Sequence, residues 1–365
     1  MPFLFTHLNP VDQSFNHVHQ NLDKIINIAA YIYSMKRITL ILIVCLVSSL
    51  YSFAQINVDT AGYIKNNPQL YSLIVSKNNK VIHQQYFNGQ DSTTLFNDQS
   101  LTKSVTSLLI GIAIDKGYIK SVDEKVVDFF PELKTDTDKR KQDITIRQIM
   151  NQASGFYHEG VNVGAFLYIP NPSDYVIKAP LVSEPGKIFH YNNAATHLLS
   201  VILTKSTGMD TRSFAQKFLF GPLGITNFDW KKMKDGYYDG CGLLSIRLRS
   251  ADMLKIGNLV LNKGVYHHQQ IVSAKWITAI INPEVTYKTE WGLDNSLYGL
   301  CWYHADYQGT KIIYALGWGG QFMFIIPSLK AVIVTNSGVA DATAIKEAGV
   351  ITGKLFPELV KQLKN

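Results

Sequence analysis

The sequence predicts an α+β fold in which an antiparallel sheet is built from both ends of the chain, is flanked by terminal helices and carries a mostly helical insertion. Two observations support this prediction. Short apolar runs broken by turn residues occur at residues 71–87 and again at residues 298–335, whereas residues 118–262 have mostly helical patterns joined by long loops. An order of strands, helices and strands brings the two ends of the chain into one sheet.

The first two runs predict a hairpin. Tyr71–Val75 and Val81–Phe87 are rich in aliphatic and aromatic residues, and Lys77–Lys80 supplies the turn between them. The next predicted element is a helix over Val105–Ile114, which has almost no polar face and is therefore expected to be buried. Ser100 lies at the start of this helix.

The remaining elements follow from the same kind of signal. Four helices are predicted in the middle region, at Ile144–Met150 with Asp143 or Thr145 as its cap, Ala194–Thr207 closed by Gly208, Phe214–Phe220, and Ala251–Leu261. Strands are predicted at Tyr298–Tyr303, Lys311–Leu316, Phe322–Ile326 and Ala331–Thr335. A closing helix is expected over Asp341–Leu363, with Asp341 as its N-cap and Pro357 as the position of a kink or break.

The N-terminal region predicts export. Met35–Arg37 is charged, Ile38–Val47 is apolar, and Ser52–Ala54 supplies small residues, which together form the pattern of a signal peptide at residues 35–54. The alternative is an uncleaved leader that anchors the chain in a membrane, although the apolar run is shorter than the about 20 residues of a span. Residues 1–34 are then an upstream extension or a mis-assigned start, and the mature chain is expected to be periplasmic or secreted.

Residues 55–365 are expected to form one domain, with an α/β part at residues 55–117 and 265–365 and a helical part at residues 118–264. The formal net charge is +7, but the densest basic stretch, Lys134–Lys141, also contains two aspartates, so no nucleic-acid partner is expected. After export only Cys241 and Cys301 remain, and they could pair. No Cys-x-x-Cys and no His-Glu-x-x-His occurs, so neither a metal nor a cofactor is expected.

Ser100-Leu101-Thr102-Lys103 has the spacing of a nucleophile and its base. Positions i and i+3 share one face of a helix, which places the lysine amine beside the serine hydroxyl. A serine needs such a base, and a lysine serves as one only when burial or positive neighbours lower its pKa. An N-cap serine followed by a surface lysine one turn later would have the same sequence pattern.

Two further segments carry candidate chemistry. Tyr191-Asn192-Asn193 precedes a predicted helix; a phenol near a cation can act as a general base, and the amide of Asn193 can hold a substrate carbonyl. The alternative is a loop with an N-cap asparagine. Trp318-Gly319-Gly320-Gln321 leads into a predicted strand, where glycines allow a ligand close to the backbone. A backbone N–H there and that of Ser100 would form an oxyanion hole, although a simple glycine-rich turn is the other interpretation.

Taken in this order, the three segments resemble those of the penicillin-recognising serine hydrolases, which include class C β-lactamases, D-aminopeptidases, 6-aminohexanoate-dimer hydrolases and β-lactamase-like esterases. The similarity covers nearly all of residues 65–340. It implies a β-lactamase/transpeptidase-like fold with Ser100 as the acylated nucleophile and with Lys103 and Tyr191 sharing the base and acid roles. It also implies that Asn193, Trp318, Gly319 and Gly320 bind substrate and that Gln321 supplies the second oxyanion N–H.

Trp318 departs from the family pattern. Many β-lactam-handling members have Lys-Thr-Gly at this place, where the lysine binds a substrate carboxylate, so an uncharged indole resembles the esterase and amide-hydrolase branches instead. The resemblance therefore implies hydrolysis of a small ester or amide with an apolar acyl group. Two alternatives stay open: a cell-wall D-amino-acid peptidase or penicillin-binding-type protein, and a non-catalytic sensor that becomes acylated.

Overall fold

A computed structural model describes most of the chain, namely residues 22, 24–39, 56, 62, 68–157, 163–290, 292–338 and 343–365. The chain divides into two units, Met1–Gln55 and Ile56–Asn365. In the first unit, residues 24–39 form a helix with exposed side chains. Most of the predicted apolar run of the leader and its cleavage site lie outside the described residues. Within the described ranges, no helix combines the length and the hydrophobicity needed to cross a bilayer.

The second unit is built on an eight-stranded sheet. Its strands are β1 (Leu70–Lys77), β2 (Lys80–Tyr86), β8 (Tyr287–Lys288), β9 (Leu297–Gly299), β10 (Trp302–Tyr307), β11 (Thr310–Gly317), β12 (Gln321–Ile326) and β13 (Ala331–Ser337). They lie in the order β2-β1-β13-β12-β11-β10-β9-β8, and every neighbouring pair is antiparallel. Strands from the two ends of this unit meet where β1 pairs with β13, as the sequence predicts. Short strands elsewhere are β3 (Phe96–Asn97), β4 (Asp229–Trp230), β5 (Ile246–Leu248), β6 (Val265–Tyr266) and β7 (Gln269–Gln270).

Helices cover both faces of the sheet. They are α1 (Leu101–Asp115), α2 (Ile146–Met150), α3 (Val163–Phe166), α4 (Pro172–Lys178), α5 (Asn193–Thr207), α6 (Thr211–Ala215), α7 (Ser250–Leu261), α8 (Ala274–Ile281), α9 (Ala344–Val350) and α10 (Phe356–Lys364). Alternate residues of β13 face opposite sides: Val332 and Val334 join the core that contains α1, whereas Ala331 and Ile333 join the core that contains α10. This burial on both faces explains the continuous apolar runs of β12 and β13.

The α+β prediction is confirmed, and several boundaries are sharper in the structure. Thr145, not Asp143, caps α2 and forms a capping box with Gln148. Gly208 ends α5 with φ of +69°. The predicted helix over Phe214–Phe220 is α6 followed by a π-helical turn at Gln216–Phe220.

The predicted strand Tyr298–Tyr303 is wrong, because the chain forms β9 and β10 with a break between them. Leu300 and Cys301 have φ of +52° and +66°, which no strand allows. The break is imposed from outside the segment: the Leu300 N–H donates to Asn151 Oδ1 at 2.7 Å, and the Cys301 N–H donates to the Met150 carbonyl at 2.9 Å.

The closing helix is interrupted, as Pro357 predicts. A π-helical turn at Ile351–Leu355 separates α9 from α10, and Pro357 lies in the first turn of α10, where its missing N–H costs no hydrogen bond. The predicted N-cap Asp341 lies outside the described residues.

Helix α7 ends just before the predicted boundary of the helical part at residue 264. Helix α7, which that boundary assigns to the insertion, packs on β1, β12 and β13 of the main sheet. Gly257 makes this approach possible, since an added Cβ would lie 2.6 Å from a Val332 methyl group and 3.2 Å from Met323. We therefore count α7 with the sheet.

His304 on β10 makes the stability depend on pH. Burial lowers the pKa of His304 from 6.5 to about 4, and its Nε2 has no partner among the described residues. The unfolded chain takes up this proton below pH 6.5, whereas the folded chain does not until about pH 4. The stability from His304 is therefore present above pH 6.5 and is lost as the pH falls towards 4, by about 3 kcal/mol.

We expect urea unfolding to show this loss between pH 7 and pH 4.5 in the wild type and a clearly smaller one in His304→Phe. Equal pH dependence in the two proteins would contradict the assignment.

Candidate active site

Ser100 lies immediately before α1, in a position that keeps it accessible while the helix behind it is buried. Gln99 has φ of +51°, and Ser100 has φ of −62° and ψ of −11°. Every residue of α1 from Leu101 to Ala113 is buried, including several polar ones. Ser100 occupies the N-cap position of α1, but its side chain makes no capping hydrogen bond.

Lys103 lies one turn along α1 and is only 1% exposed, which excludes a surface lysine. Its Nζ donates to Ser100 Oγ at 3.1 Å, to Asn193 Oδ1 at 2.6 Å and to the carbonyl oxygen of Cys241. Three oxygens from three separate segments therefore surround the ammonium group and fix its position beside the serine hydroxyl.

The pKa of Lys103 moves opposite to the direction that a lysine base requires. Burial lowers the pKa of Lys103, but the nearby Tyr191 phenol, the Cys241 thiol and the Asp239 carboxylate together raise it above its ordinary value. The ammonium form therefore persists at neutral pH, which the sequence could not show because these neighbours come from distant segments.

Tyr191 and Asn193 are brought to the same place by the start of α5. The Lys103 Nζ lies 4.8 Å from the centre of the Tyr191 ring, within cation–π distance. Asn192 caps α5, since its Oδ1 accepts the Ala195 N–H at 2.8 Å, and Asn193 is thereby held against Lys103. The N-cap interpretation of this loop thus applies to Asn192 alone.

The loop at residues 239–246 belongs to the site, although no motif in the sequence indicates it. The buried Asp239 carboxylate accepts the N–H groups of Cys241, Gly242, Leu244 and Ser245 at 2.7–3.1 Å. This cluster of charge-assisted bonds fixes the loop, and with it the Cys241 carbonyl that holds Lys103.

Gly242 allows the same loop to pack closely against the backbone of Gln99 and Ser100. An added Cβ there would collide with the Gln99 carbonyl and lie 2.8 Å from the Ser100 Cα, and φ at Gly242 is +91°. Only glycine allows this approach without strain. An aspartate followed by closely spaced glycines is the one feature of the sequence that could have indicated the loop.

The glycine-rich segment Trp318–Gly320 is a hairpin turn between β11 and β12, not the start of a strand. Gly317 and Gln321 close this hairpin as a cross-strand pair, and Gly319 and Gly320 have φ of +83° and +99°. Gly317 packs against the turn before Ser100, because a Cβ there would collide with the Asp98 carbonyl and lie 3.0 Å from the Gln99 Cβ.

Gln321, which the resemblance implies as the second oxyanion donor, is the first residue of β12. It is fully buried within β12, and its side chain binds the backbone of Ser337 on β13 in both directions. The first residue beyond Gly317 is Trp318, which is 39% exposed. Within the described residues, neither the Ser100 N–H nor the Trp318 N–H has a hydrogen-bond partner.

Cys241 and Cys301 are free, buried thiols, so the disulfide that the sequence left open is not formed in this structure. Burial raises the pKa of Cys301 to about 12 and that of Cys241 well above its ordinary range. Neither is a reactive thiolate at neutral pH. Among the described ranges, no group of three histidine, cysteine or acidic side chains is arranged to hold a metal ion.

The antiparallel sheet with Ser100 and Lys103 at the edge of a buried helix is the architecture of serine hydrolases of the β-lactamase fold. The chain matches the family described as Beta-lactamase over residues 71–349, and it belongs to that family.

Related solved structures agree on the fold. One, from Bacillus anthracis and described as a 6-aminohexanoate-dimer hydrolase, has a TM-score of 0.68 at 21% identity and covers 84% of this chain and 83% of that one. The D-alanine carboxypeptidase AmpC of Burkholderia cenocepacia has a TM-score of 0.59 at 18% identity, covering 80% of this chain and 96% of that one. At these identities the likeness shows the fold alone.

Curated relatives match only in part. Beta-lactamase-like protein 4 of Dictyostelium discoideum is 29% identical over 147 residues, which are 36% of this chain and 26% of that protein. Protein flp of Staphylococcus aureus is 25% identical over 173 residues, or 44% of this chain and 34% of that protein. The matched segments thus span about a quarter to a third of these relatives.

Proposed function

We propose that this protein hydrolyses small, neutral esters or amides through an acyl-enzyme on Ser100. The observation that carries the proposal is the buried Lys103 ammonium, 3.1 Å from Ser100 Oγ and held against Tyr191 and Asn193. A buried cation fixed beside a hydroxyl and a phenol is a costly arrangement, and activation of a nucleophile gives it a purpose.

In this proposal Tyr191 is the proton acceptor. The raised pKa of Lys103 keeps that residue cationic, which leaves the phenolic oxygen of Tyr191, rather than the Lys103 amine, to accept the proton. As Ser100 Oγ bonds to the substrate carbonyl carbon, its proton passes to Tyr191, which then gives the proton to the departing alcohol or amine. A water molecule, deprotonated in the same way, attacks the acyl-enzyme, releases the acid and returns the proton to Ser100.

The oxyanion would be held by two backbone donors. The N–H of Ser100 and that of Trp318 have no partner among the described residues, and Gly317 brings the end of β11 against the turn before Ser100. We assign Trp318 in place of Gln321 as the second donor. Asn193 Oδ1 accepts from Lys103, which leaves the Nδ2 end of that amide to hold the substrate carbonyl.

The uncharged edge beside the nucleophile supports a neutral substrate. Whether the Lys-Thr-Gly position is taken as Trp318–Gly320 or, three residues earlier, as Ala315–Gly317, it contains no lysine. A substrate carboxylate would be desolvated there without a cationic partner, whereas the exposed indole of Trp318 offers a surface to an apolar acyl group. Export through the predicted leader would place this activity outside the cytoplasm.

The test compares two esters with one leaving group, p-nitrophenyl butyrate and mono-p-nitrophenyl succinate, on the full-length chain. We expect the butyrate to be cleaved with at least about tenfold higher kcat/KM, since an unpaired carboxylate costs more than about 1 kcal/mol to bury. Trp318→Lys should lower the ratio of kcat/KM for the butyrate ester to kcat/KM for the succinate ester. Equal rates for the two esters would contradict the neutral-substrate proposal.

Two other outcomes distinguish the alternatives. Release of D-alanine from a muropeptide, with neither ester cleaved, would identify a D-amino-acid peptidase instead. A stable acyl mass on Ser100 without turnover, measured by intact-protein mass spectrometry, would identify a sensor.

A further inference from the structure

Gln152 occupies an unusual position behind the site. It lies two residues beyond the end of α2, is 2% exposed, and has φ of +58°, a left-handed conformation that few residues other than glycine adopt. Strained backbone of this kind persists where the surroundings fix it, and it clusters at functional sites.

The left-handed conformation lets Gln152 bind the chain on both sides of Tyr191. The backbone carbonyl of Gln152 accepts the His190 N–H at 2.7 Å, and its side-chain Oε1 accepts the Asn192 N–H at 2.6 Å. One residue thus binds the N–H groups of His190 and Asn192, the residues on either side of Tyr191.

The other end of the side chain closes the arrangement. Gln152 Nε2 donates to Thr196 Oγ1 at 2.8 Å, and Thr196 Oγ1 donates to the Asn192 carbonyl at 2.7 Å. Both the N–H and the carbonyl of Asn192 are therefore tied, directly or through Thr196, to the amide of Gln152. The network is fully buried, so its geometry is rigid and its loss leaves unpaired donors.

We propose that Gln152 is a positioning residue that holds the Tyr191 phenol against Lys103. The inference rests on the proposed role of Tyr191 as the base. Gln152 contacts neither substrate nor Ser100 in this role; it acts through the backbone on either side of Tyr191, and its side chain also bonds Tyr298. A shift of the phenol by about 1 Å is expected to cost about 100-fold in rate.

The test measures the rate at which a fluorophosphonate probe labels Ser100, since this rate reports activation of the nucleophile without a known substrate. We expect Gln152→Ala, and the equally long Gln152→Met, to slow labelling about 10- to 100-fold. Gln148→Ala is the matched control, because Gln148 also bonds a backbone N–H, that of Thr145, from the same segment. It should label at the wild-type rate.

A second matched pair covers variants that fold poorly. Thr196 and Thr204 both lie on α5, and each donates its hydroxyl to the carbonyl four residues earlier. Thr196→Val should slow labelling, whereas Thr204→Val should not. Equal losses in the two would show a general loss of stability and would overturn the inference.

The decisive comparison is Gln152→Ala in a Tyr191→Phe background. If Gln152 acts through Tyr191, the second change slows labelling no further. An equal slowing in both backgrounds would overturn the positioning role while leaving the proposed base intact. Wild-type labelling in Tyr191→Phe alone would instead remove the base itself, and the role of Gln152 with it.

Discussion

Ser100→Ala should reduce turnover of a p-nitrophenyl ester by about 10³- to 10⁶-fold, the range seen when an acyl-enzyme nucleophile is removed. No other described serine or threonine hydroxyl receives a hydrogen bond from Lys103 Nζ, so no aliphatic hydroxyl can replace Ser100 Oγ. The fold should be retained, because the Ser100 side chain is half-buried and makes no capping bond. The free energy of unfolding should change by less than about 1 kcal/mol.

Ser107→Ala is the matched control for that change. Ser107 lies two turns further along α1, is fully buried, and its hydroxyl has no hydrogen-bond partner among the described residues. Removing an unpaired hydroxyl should leave both rate and stability near those of the wild type. The test measures initial rates and thermal unfolding of the wild type, Ser100→Ala and Ser107→Ala. A Ser100→Ala rate near that of the wild type would rule out the acyl-enzyme mechanism.

Local spacing explains why part of this site could be predicted from the sequence. The contact between Ser100 and Lys103 depends only on helix geometry, which places positions i and i+3 on one face. The burial of the helix followed in the same way from its apolar composition. Both observations needed no knowledge of the rest of the chain, and the structure reproduces both.

The parts that the sequence could not supply depend on contacts between distant segments. The loop that carries Asp239 and the left-handed Gln152 act on Lys103 and Tyr191 from positions 136 and 39 residues away in the chain. The break after β9 arises in the same way, since Asn151 and Met150 bind the N–H groups of Leu300 and Cys301. Side chains with these roles look like ordinary loop residues until the fold brings them together.

Gln321 illustrates a different limit. The glycine-rich run marks a backbone that can approach a ligand, but glycines permit several turn lengths. The sequence therefore could not fix whether the run continues the strand or closes a hairpin. The pairing of Gly317 with Gln321 gives the register of this hairpin, and on that register we propose Trp318 in place of Gln321 as the oxyanion donor.

Lys103→Met should reduce turnover about as strongly as Ser100→Ala, by about 10³-fold or more. Methionine keeps an unbranched side chain of similar volume but removes the ammonium that Ser100, Asn193 and the Cys241 carbonyl share. Without that cation Ser100 Oγ loses its hydrogen-bond donor, and the Tyr191 ring loses the charge beside it. The double variant with Ser100→Ala should be no slower than either single one, because the residues act as a unit.

The charge of Lys103 should also show in the pH dependence of stability. Because its pKa is raised in the folded chain, the stability it contributes is complete below pH 10.5, the unfolded value, and is lost as the pH rises through the folded pKa. Above pH 10.5 the unfolding free energy of the wild type should therefore fall relative to that of Lys103→Met. Urea unfolding at pH 9 and pH 11 measures it.

Lys116→Met is the control that separates the role of the Lys103 ammonium from the effect of replacing another lysine of the same helix region. Lys116 follows the last turn of the same helix, is exposed, and lies 4.5 Å from the Phe218 ring. Its replacement should leave the rate unchanged, since an exposed cation contributes little there. Lys103→Arg adds the complementary test: it keeps the charge but replaces a compact ammonium by a planar fork that does not fit three converging oxygens. Activity retained in Lys103→Arg would show that charge alone suffices, and the convergence of three oxygens on the ammonium would then not be what activates Ser100.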